Sequence, residues 1–291
     1  MRRLIINADD LGLTAGVNRA IIEAHQRGVV TSTTLMASGR AFDDAVQLAA
    51  SVPTLSVGCH VVLVDGHPIL PASEVPTLLD KESSAPQFPA RIGQLARRAL
   101  LGRLDANQVE AEIIAQIGRV QSRGIHVAHV DTHKHAHVFP QVIGPLLRAA
   151  NKCGVHAVRN PFELIRVRTL SRPHLWKRTL QMAVLRPLAK RFRQAVAAAG
   201  MITPDGTLGI AATGALDENL FAALAESVPQ GTWEFVCHPG YNDSDLQTVA
   251  TRLRESRDCE LRLLTSPGTR ELLAAHGIEL VSYRDFVQHR P

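Results

Sequence analysis

The stretch LIINADDLGLTAGVNRAIIEAHQRGVV, residues 4–30, contains the strand–helix unit from which the fold can be predicted. Its first five residues are typical of a short buried strand because apolar side chains dominate them. A helix follows, with Thr14 as the candidate N-cap and apolar residues at helical spacing until Gly28 ends it. Val29 then opens a second, β-branched segment. This stretch therefore predicts a strand, a helix and another strand in succession.

The same alternation continues along the rest of the chain. Further strands are predicted at residues 29–37, 56–63, 126–130, 155–158, 207–212, 232–237 and 278–283. Strands separated by helical patterns of about 10–15 residues indicate βαβ units and a parallel sheet. We therefore predict one α/β catalytic domain over residues 1–291, with insertions around 68–105 and 164–200.

Composition limits the class of protein. The 291 residues are 45% apolar and 20% charged, with a net charge of +5, which fits a globular chain rather than a disordered or collagen-like one. No apolar run approaches the roughly 18 residues that span a bilayer, and the first residues lack the apolar core of a signal peptide. Four widely spaced cysteines without a CxxC pair favour a reduced environment. We expect a cytoplasmic protein.

Four polar clusters follow predicted strands, at residues 7–10, 58–60, 129–137 and 237–240. The carboxyl ends of parallel strands share one face of an α/β fold, and active sites are built on that face. We therefore expect the four clusters to converge on one active site at the C-terminal strand ends.

Asp9 and Asp10 form the first cluster's acidic pair. An aspartate after a strand can simply cap the next helix. The alternative is a division of labour, in which one carboxylate binds a metal ion and the other acts as a base. Consecutive residues that leave a strand point in different directions, which suits the second interpretation.

Three histidines alternate in the third cluster, at His133, His135 and His137. In an extended chain this spacing would place all three on one face. Two histidines and one carboxylate form a familiar catalytic zinc set, so we expect one ligand from this run beside Asp10 and His60. The alternatives are a surface histidine cluster and, for His60, a hydrogen-bonded core residue.

His238 and Arg159 follow two other predicted strands. His238 precedes a proline, so we expect it to project at the strand end, where it could protonate a leaving amine. Arg159 could hold a carboxylate or a substrate oxygen. A loop histidine and a surface arginine are the simpler alternatives. The residues predicted to contact substrate are Arg159, His135, His137 and Asp131.

Several other catalytic templates are missing from the sequence. It contains no GxxxxGK[ST], no GxGxxG after the first strand, no GxSxG and no HExxH. Phosphate-loop, dinucleotide-binding and serine-hydrolase functions therefore lose their main support.

Four of these segments together resemble one known family. LIINADDLG at 4–12, VGCH at 57–60, HVDTHKH at 129–135 and CHPG at 237–240 are similar to the YdjC-like carbohydrate deacetylases. These include chito-oligosaccharide deacetylases and hopanoid biosynthesis-associated deacetylases. VVLVDGHPILP at 61–71 and LTSP at 264–267 most resemble the hopanoid-associated branch, whereas Cys59 stands where the family often has leucine.

The resemblance implies a deformed (β/α) barrel with parallel strands and the metal-dependent removal of an N-acetyl group from an amino sugar. It implies that Asp9 is the general base, that His238 is the general acid, and that Arg159 lies near the site. It also implies one divalent metal ion, zinc with magnesium as the alternative, bound by Asp10, His60 and His133.

The substrate and partners follow from the basic second insertion. Residues 164–199 contain no acidic side chain, and residues 176–196 suit a helix lying on anionic lipid, although a solvated basic helix face is the alternative. A membrane contact, on the inner face of the membrane, favours a glycolipid such as an N-acetylglucosaminyl hopanoid over a soluble chito-oligosaccharide. A homo-oligomer is a further expectation.

Two other classes of function remain weaker alternatives. One is a non-catalytic sugar- or metal-binding protein, and the other is nucleic-acid binding through the basic insertion. Neither explains why acidic residues and histidines gather at strand ends, so we expect an enzyme with no nucleic-acid partner.

Overall fold

A parallel β-sheet forms the centre of the structure, a computed structural model that describes residues 1–163 and 175–288. Its strands are β1 (Arg2–Leu11), β2 (Ser32–Leu35), β3 (Ser56–Val61), β4 (Val130–Thr132), β5 (Gly206–Leu208), β6 (Gly231–Cys237) and β7 (Ile278–Leu280). They lie in the order β4-β3-β2-β1-β6-β5, and β7 pairs with the beginning of β1. Every pairing among these strands is parallel, which confirms the predicted α/β class.

Single parallel bridges continue the sheet between β4 and β5. They join Val130 with Val158, Ala157 with Ile202, and Glu163 with Thr207. The sheet therefore curls round into a deformed (β/α) barrel, as the resemblance implied. The prediction of a continuous strand at 155–158 is wrong, because the segment makes only isolated bridges to its neighbours. A turn at Gly154 precedes the segment, and Pro161, which has no N–H to donate, follows it.

Helices surround the sheet. They are α1 (Ala15–Gln26), α2 (Phe42–Ser51), α3 (Ile92–Leu100), α4 (Ala106–Gln121), α5 (Pro140–Lys152), α6 (Trp176–Leu185), α7 (Leu188–Ala198), α8 (Glu218–Glu226), α9 (Ser244–Gln247), α10 (Glu255–Thr265), α11 (Pro267–Ala275) and α12 (Tyr283–Gln288). Thr14 caps α1 as predicted, since its hydroxyl accepts a hydrogen bond from the Val17 N–H at 3.2 Å. None of the helices described has the length and apolar character to cross a bilayer.

The two predicted insertions carry α3 and the pair α6–α7. Part of the second insertion, residues 164–174, lies outside the described residues. α7 packs on α5, and α3 packs near the His133–Val138 segment that follows β4. The helices α3 and α7 therefore lie against elements that border the polar strand ends.

Alternating residues of β1 separate the two faces of the sheet. Leu4, Ile6 and Ala8 belong to the main hydrophobic cluster, whereas Ile5 packs with Tyr283 in a small second cluster. Asn7 and Asp9 follow Ile5 at a spacing of two, so they share its face. Because both side chains are buried, the inner face becomes polar towards the carboxyl end of β1.

Candidate active site

A β-bulge separates the two neighbouring carboxylates of β1. Asp9 and Asp10 lie opposite a single residue of β2, Thr34, where the strand register shifts. Asp10 has a left-handed φ of 71°, which is uncommon for a residue other than glycine. Bulges re-aim side chains and occur next to active sites. Here the bulge directs the two carboxylates to different partners.

Three side chains at the strand ends form a candidate cation site. The Asp10 Oδ1 atom lies 3.5 Å from His60 Nε2 and 3.4 Å from His133 Nδ1, and the two nitrogens are 3.2 Å apart. Tetrahedral zinc with bonds of about 2.0–2.1 Å places its ligand atoms about 3.3 Å from one another. Asp10 Oδ1 is buried and has no hydrogen-bond partner in the described structure. These residues therefore fit a divalent cation.

The charges around the site favour a cation. Burial alone would lower the pKa of His60, but the carboxylates of Asp131, Asp9 and Asp10 raise it to about 9. The same carboxylates that stabilise an imidazolium would stabilise a metal ion in its place. The His133 side chain is 18% exposed, which leaves one side of the three ligand atoms open to solvent.

Asp131 orients His60 from behind. The His60 Nδ1 atom lies 2.7 Å from Asp131 Oδ1, so Nδ1–H donates a hydrogen bond to the carboxylate, and the Nε2 lone pair would be available to a metal ion. A histidine held by a carboxylate in this way is common among metal ligands, because the partner fixes both tautomer and ring orientation.

Arg159 lies fully buried among three carboxylates. Its guanidinium donates to both oxygens of Asp9 at 2.9 and 2.6 Å, to Asp131 at 2.5 Å and to Glu234 at 2.8 Å. Asp9, His60 and Asp131 also cluster closely enough for a metal. Because Arg159 already binds both oxygens of Asp9 and Oδ2 of Asp131, the site that includes Asp10 is the better candidate.

This arginine also sets the charge of Asp9. Burial opposes ionisation of the carboxyl, but Arg159 and the nearby histidines hold the pKa of Asp9 well below its usual range. Asp9 is therefore ionised at any physiological pH.

His238 completes the group from the end of β6. Its Nε2 atom lies 3.9 Å from Asp9 Oδ2, and its backbone N–H donates to Glu260 Oε2 at 2.5 Å. Burial lowers the pKa of His238 to about 4, although Asp9 and Asp10 act in the opposite direction. The imidazole is therefore neutral at pH 7.

The His133–Val138 segment is a 3-10 helix rather than the extended chain predicted from the alternating histidines. Lys134 and His135 have left-handed φ values of 55° and 54°, which turn the backbone away from a strand. The Lys134 ammonium binds Asp65 Oδ2 at 2.6 Å and holds this turn. The expectation that the three histidines share one face is therefore wrong.

The turn gives the other two histidines separate environments. His137 is fully buried, with Nδ1 at 2.6 Å from Thr132 Oγ1 and Nε2 at 3.1 Å from the Arg159 carbonyl oxygen. His135 is only partly buried, and its Nδ1 atom has no hydrogen-bond partner in the described structure. Of the three, His133 alone lies at the candidate cation site.

The four residues predicted to contact substrate lie in two kinds of environment. Asp131, His137 and Arg159 are 0% exposed and, in the described part of the chain, they bind other protein groups. We infer that these three residues position other groups of the site. His135 keeps a partly exposed ring, although its unpartnered Nδ1 atom is itself buried, and it remains a predicted substrate contact.

Sequence reasoning missed three buried charged residues near the site. Glu234 binds Arg159 from within β6. Its position in a strand of mainly apolar residues could have indicated a buried ion pair, since unpaired carboxylates are rarely buried. Arg257 and Glu260 reach the site from α10, a helix with many charges, so nothing in the local pattern distinguished them.

Known proteins resemble this chain over nearly its whole length. A family model described as YdjC-like protein matches residues 3–275. A carbohydrate deacetylase from Geobacillus stearothermophilus is 33% identical over 286 residues, covering 98% of each chain. A carbohydrate deacetylase from Brevibacillus brevis is 31% identical over 284 residues, covering 97% of this chain and 99% of the relative.

Solved structures support the fold. A protein from Enterococcus faecalis V583, provisionally named for cellobiose-phosphate cleavage, superposes with a TM-score of 0.80 at 29% identity and 98% coverage of both chains. The lactam utilization protein of Thermus thermophilus matches with a TM-score of 0.52 at 14% identity, covering 96% of this chain and 99% of its own, a likeness of fold alone.

Proposed function

The chain belongs to the YdjC-like protein family, and from this premise we propose that it is a metal-dependent N-deacetylase of N-acetylated amino sugars. The observation that carries the proposal is the set of three ligand atoms from Asp10, His60 and His133, 3.2 to 3.5 Å apart, beside an ionised Asp9. The relatives named carbohydrate deacetylase support the reaction class.

Asp10, His60 and His133 would hold the cation, which we propose to be zinc, with magnesium as the alternative. A divalent ion there would supply Lewis acidity, which would lower the pKa of water and polarise an amide carbonyl oxygen. The nitrogen-rich ligand set favours zinc, because magnesium prefers oxygen ligands.

Asp9 and His238 would move the protons. Asp9 is ionised and so can accept a proton from the attacking water, as the general base of the reaction. His238 Nε2, 3.9 Å from Asp9 Oδ2, is neutral in the resting protein, so it would take the water proton from Asp9 before it donates that proton to the departing amine nitrogen. Without that proton, the amine is a poor leaving group.

Acetate release is the direct test of this function. With a panel of N-acetylated sugars and glycolipids, we expect one acetate and one free amine for each bond cleaved. A chelator should abolish the release and added zinc should restore it. Binding of sugar without any acetate would instead support a non-catalytic sugar- or metal-binding protein and would contradict the proposal.

For the substrate, we propose a glycolipid of the N-acetylglucosaminyl hopanoid type, reached at the inner face of a membrane. The support is α6, which exposes Trp176 (49%), Leu180 (55%) and Val184 (70%) one helical turn apart. An apolar stripe within a segment that lacks acidic residues matches helices that lie in the interface of anionic bilayers. A soluble chito-oligosaccharide is the alternative substrate.

Vesicle binding tests the membrane proposal. Leu180→Asp with Val184→Asp should lower the fraction that sediments with phosphatidylglycerol-containing vesicles by severalfold, because it places charge in the apolar stripe. Leu100→Asp, at a 77% exposed leucine of α3, is the matched control and should sediment like the wild type. If the wild-type protein does not sediment at low or moderate salt, the membrane proposal fails and the soluble sugar becomes the better substrate.

A further inference from the structure

Arg257 is a buried arginine that contacts the candidate cation site and was not among the site residues predicted from the sequence. It lies on α10 and is 1% exposed. Its Nη2 atom donates to Asp10 Oδ2 at 2.5 Å, across 247 positions of sequence. Burying a guanidinium is costly unless its donors are satisfied, so a fully buried arginine at this position calls for a specific role.

The two oxygens of Asp10 have different environments. Oδ2 accepts from Arg257, whereas Oδ1 points at the two histidine nitrogens and has no hydrogen-bond donor in the described structure. A carboxylate can bind a cation through one oxygen or through both. With Oδ2 held by the guanidinium, only Oδ1 is available to a metal.

The rest of the guanidinium is anchored to the same side of the site. Nε donates to the Leu253 carbonyl oxygen at 3.3 Å, and Nη1 lies 3.5 Å from the His238 carbonyl oxygen. A Cβ atom on Gly240 would lie 2.8 Å from Arg257 Cδ, so the glycine leaves room for the arginine stem. The side chain is thus fixed along its length.

One turn further along α10, Glu260 accepts the His238 backbone N–H. The same helix therefore holds a candidate metal ligand through Arg257 and the candidate acid through Glu260. Through these two hydrogen bonds, α10 contacts the carboxyl ends of both β1 and β6.

We propose that Arg257 is a positioning residue that holds Asp10 so that it presents Oδ1 alone to the metal ion. This inference rests on the proposed metal-dependent function. It assigns no contact with substrate to Arg257. The hydrogen bond to Oδ2 would leave Oδ1 as the one Asp10 atom offered to a metal ion and would leave the remaining position to substrate or water.

Zinc affinity and the visible spectrum of the cobalt-loaded protein test this role. Arg257→Lys keeps the charge but loses the planar fork, and Arg257→Met removes the charge while keeping a long stem. We expect both variants to bind zinc about 10- to 100-fold more weakly in competition with a chromophoric chelator. The Co²⁺ absorption should also weaken, because coordination expands from four towards five when Oδ2 is released.

Arg254→Lys, at the residue that precedes α10, is the matched control for Arg257→Lys. Its guanidinium contacts the Gln247 and Val249 carbonyl oxygens and none of the site residues, so zinc affinity and spectrum should match the wild type. Should Arg257→Met fail to fold, Arg257→Lys alone decides.

The outcomes separate this inference from the proposed function. An unchanged or tighter zinc affinity, or an unchanged Co²⁺ spectrum, in the folded Arg257 variants overturns the positioning role and leaves the metal site standing. A lower melting temperature without either change means that Arg257 supports the fold only. Failure of the wild-type protein itself to bind zinc or cobalt refutes the metal site, and the positioning role with it.

Discussion

Replacing His133 with alanine is expected to lower zinc affinity by more than about 100-fold and to abolish amide hydrolysis. The loss of affinity should exceed the roughly 10- to 100-fold that is typical when a residue hydrogen-bonded to a metal ligand is replaced. The imidazole contributes one of three ligand atoms, and its Nδ1 lies 3.4 Å from Asp10 Oδ1. Two remaining protein ligands cannot hold zinc in the three-ligand arrangement of catalytic sites. Chelator competition measures the affinity, and acetate release measures the activity.

His135→Ala is the matched control, two residues along the same 3-10 helix. Its ring lies outside the set of three ligand atoms, so zinc affinity should stay at the wild-type level. If His135 contacts substrate as predicted from the sequence, KM should rise while the metal content stays constant. Wild-type zinc occupancy in the His133 variant would refute the ligand assignment.

The fold was predictable because its signals are local and repeated. Each βαβ unit carries its own apolar strand and a helix with recognisable ends, such as α1 with its cap at Thr14 and its last turn before Gly28. Parallel topology then brings the strand ends together, which is why the closeness of Asp10, His60 and His133 could be expected from their places in the chain.

The finer geometry of the site depends on backbone conformations that the spacing of residues in the sequence does not indicate. The bulge at Asp9 and Asp10 combines a register shift with a left-handed residue that is not glycine. Lys134 and His135 are left-handed as well, so an alternating pattern that suggested an extended chain became a 3-10 turn. Such conformations are costly for ordinary residues and persist because the surrounding contacts hold them.

Long-range ion pairs were the other unpredictable part. Arg159 was singled out as a group that could hold a carboxylate or a substrate oxygen, and its guanidinium holds the carboxylates of Asp9, Asp131 and Glu234 inside the barrel. Buried charges are retained only where partners neutralise them, and those partners come from different strands. The pattern of one strand cannot reveal which distant carboxylate it will meet.

Asp9→Asn should lower kcat by about 10²- to 10⁴-fold, the usual contribution of a general base, while zinc affinity changes by less than about tenfold. The side chain lies outside the three ligand atoms, and its Oδ2 faces His238 Nε2 at 3.9 Å. An amide nitrogen in place of Oδ2 cannot accept a proton. It would also meet the Arg159 Nη1 donor at a cost of about 1–3 kcal/mol, so the melting temperature should be measured beside the rate.

Asp131→Asn makes the same chemical change on β4 and should give the opposite pattern. Its Oδ1 accepts from His60 Nδ1 at 2.7 Å, so the substitution disturbs a metal ligand and should weaken zinc binding about 10- to 100-fold. Saturating zinc should then restore much of the rate in the Asp131 variant and none in the Asp9 variant, because only Asp9 takes the proton itself. Turnover within about tenfold of wild type in zinc-loaded Asp9→Asn would show that another group is the base.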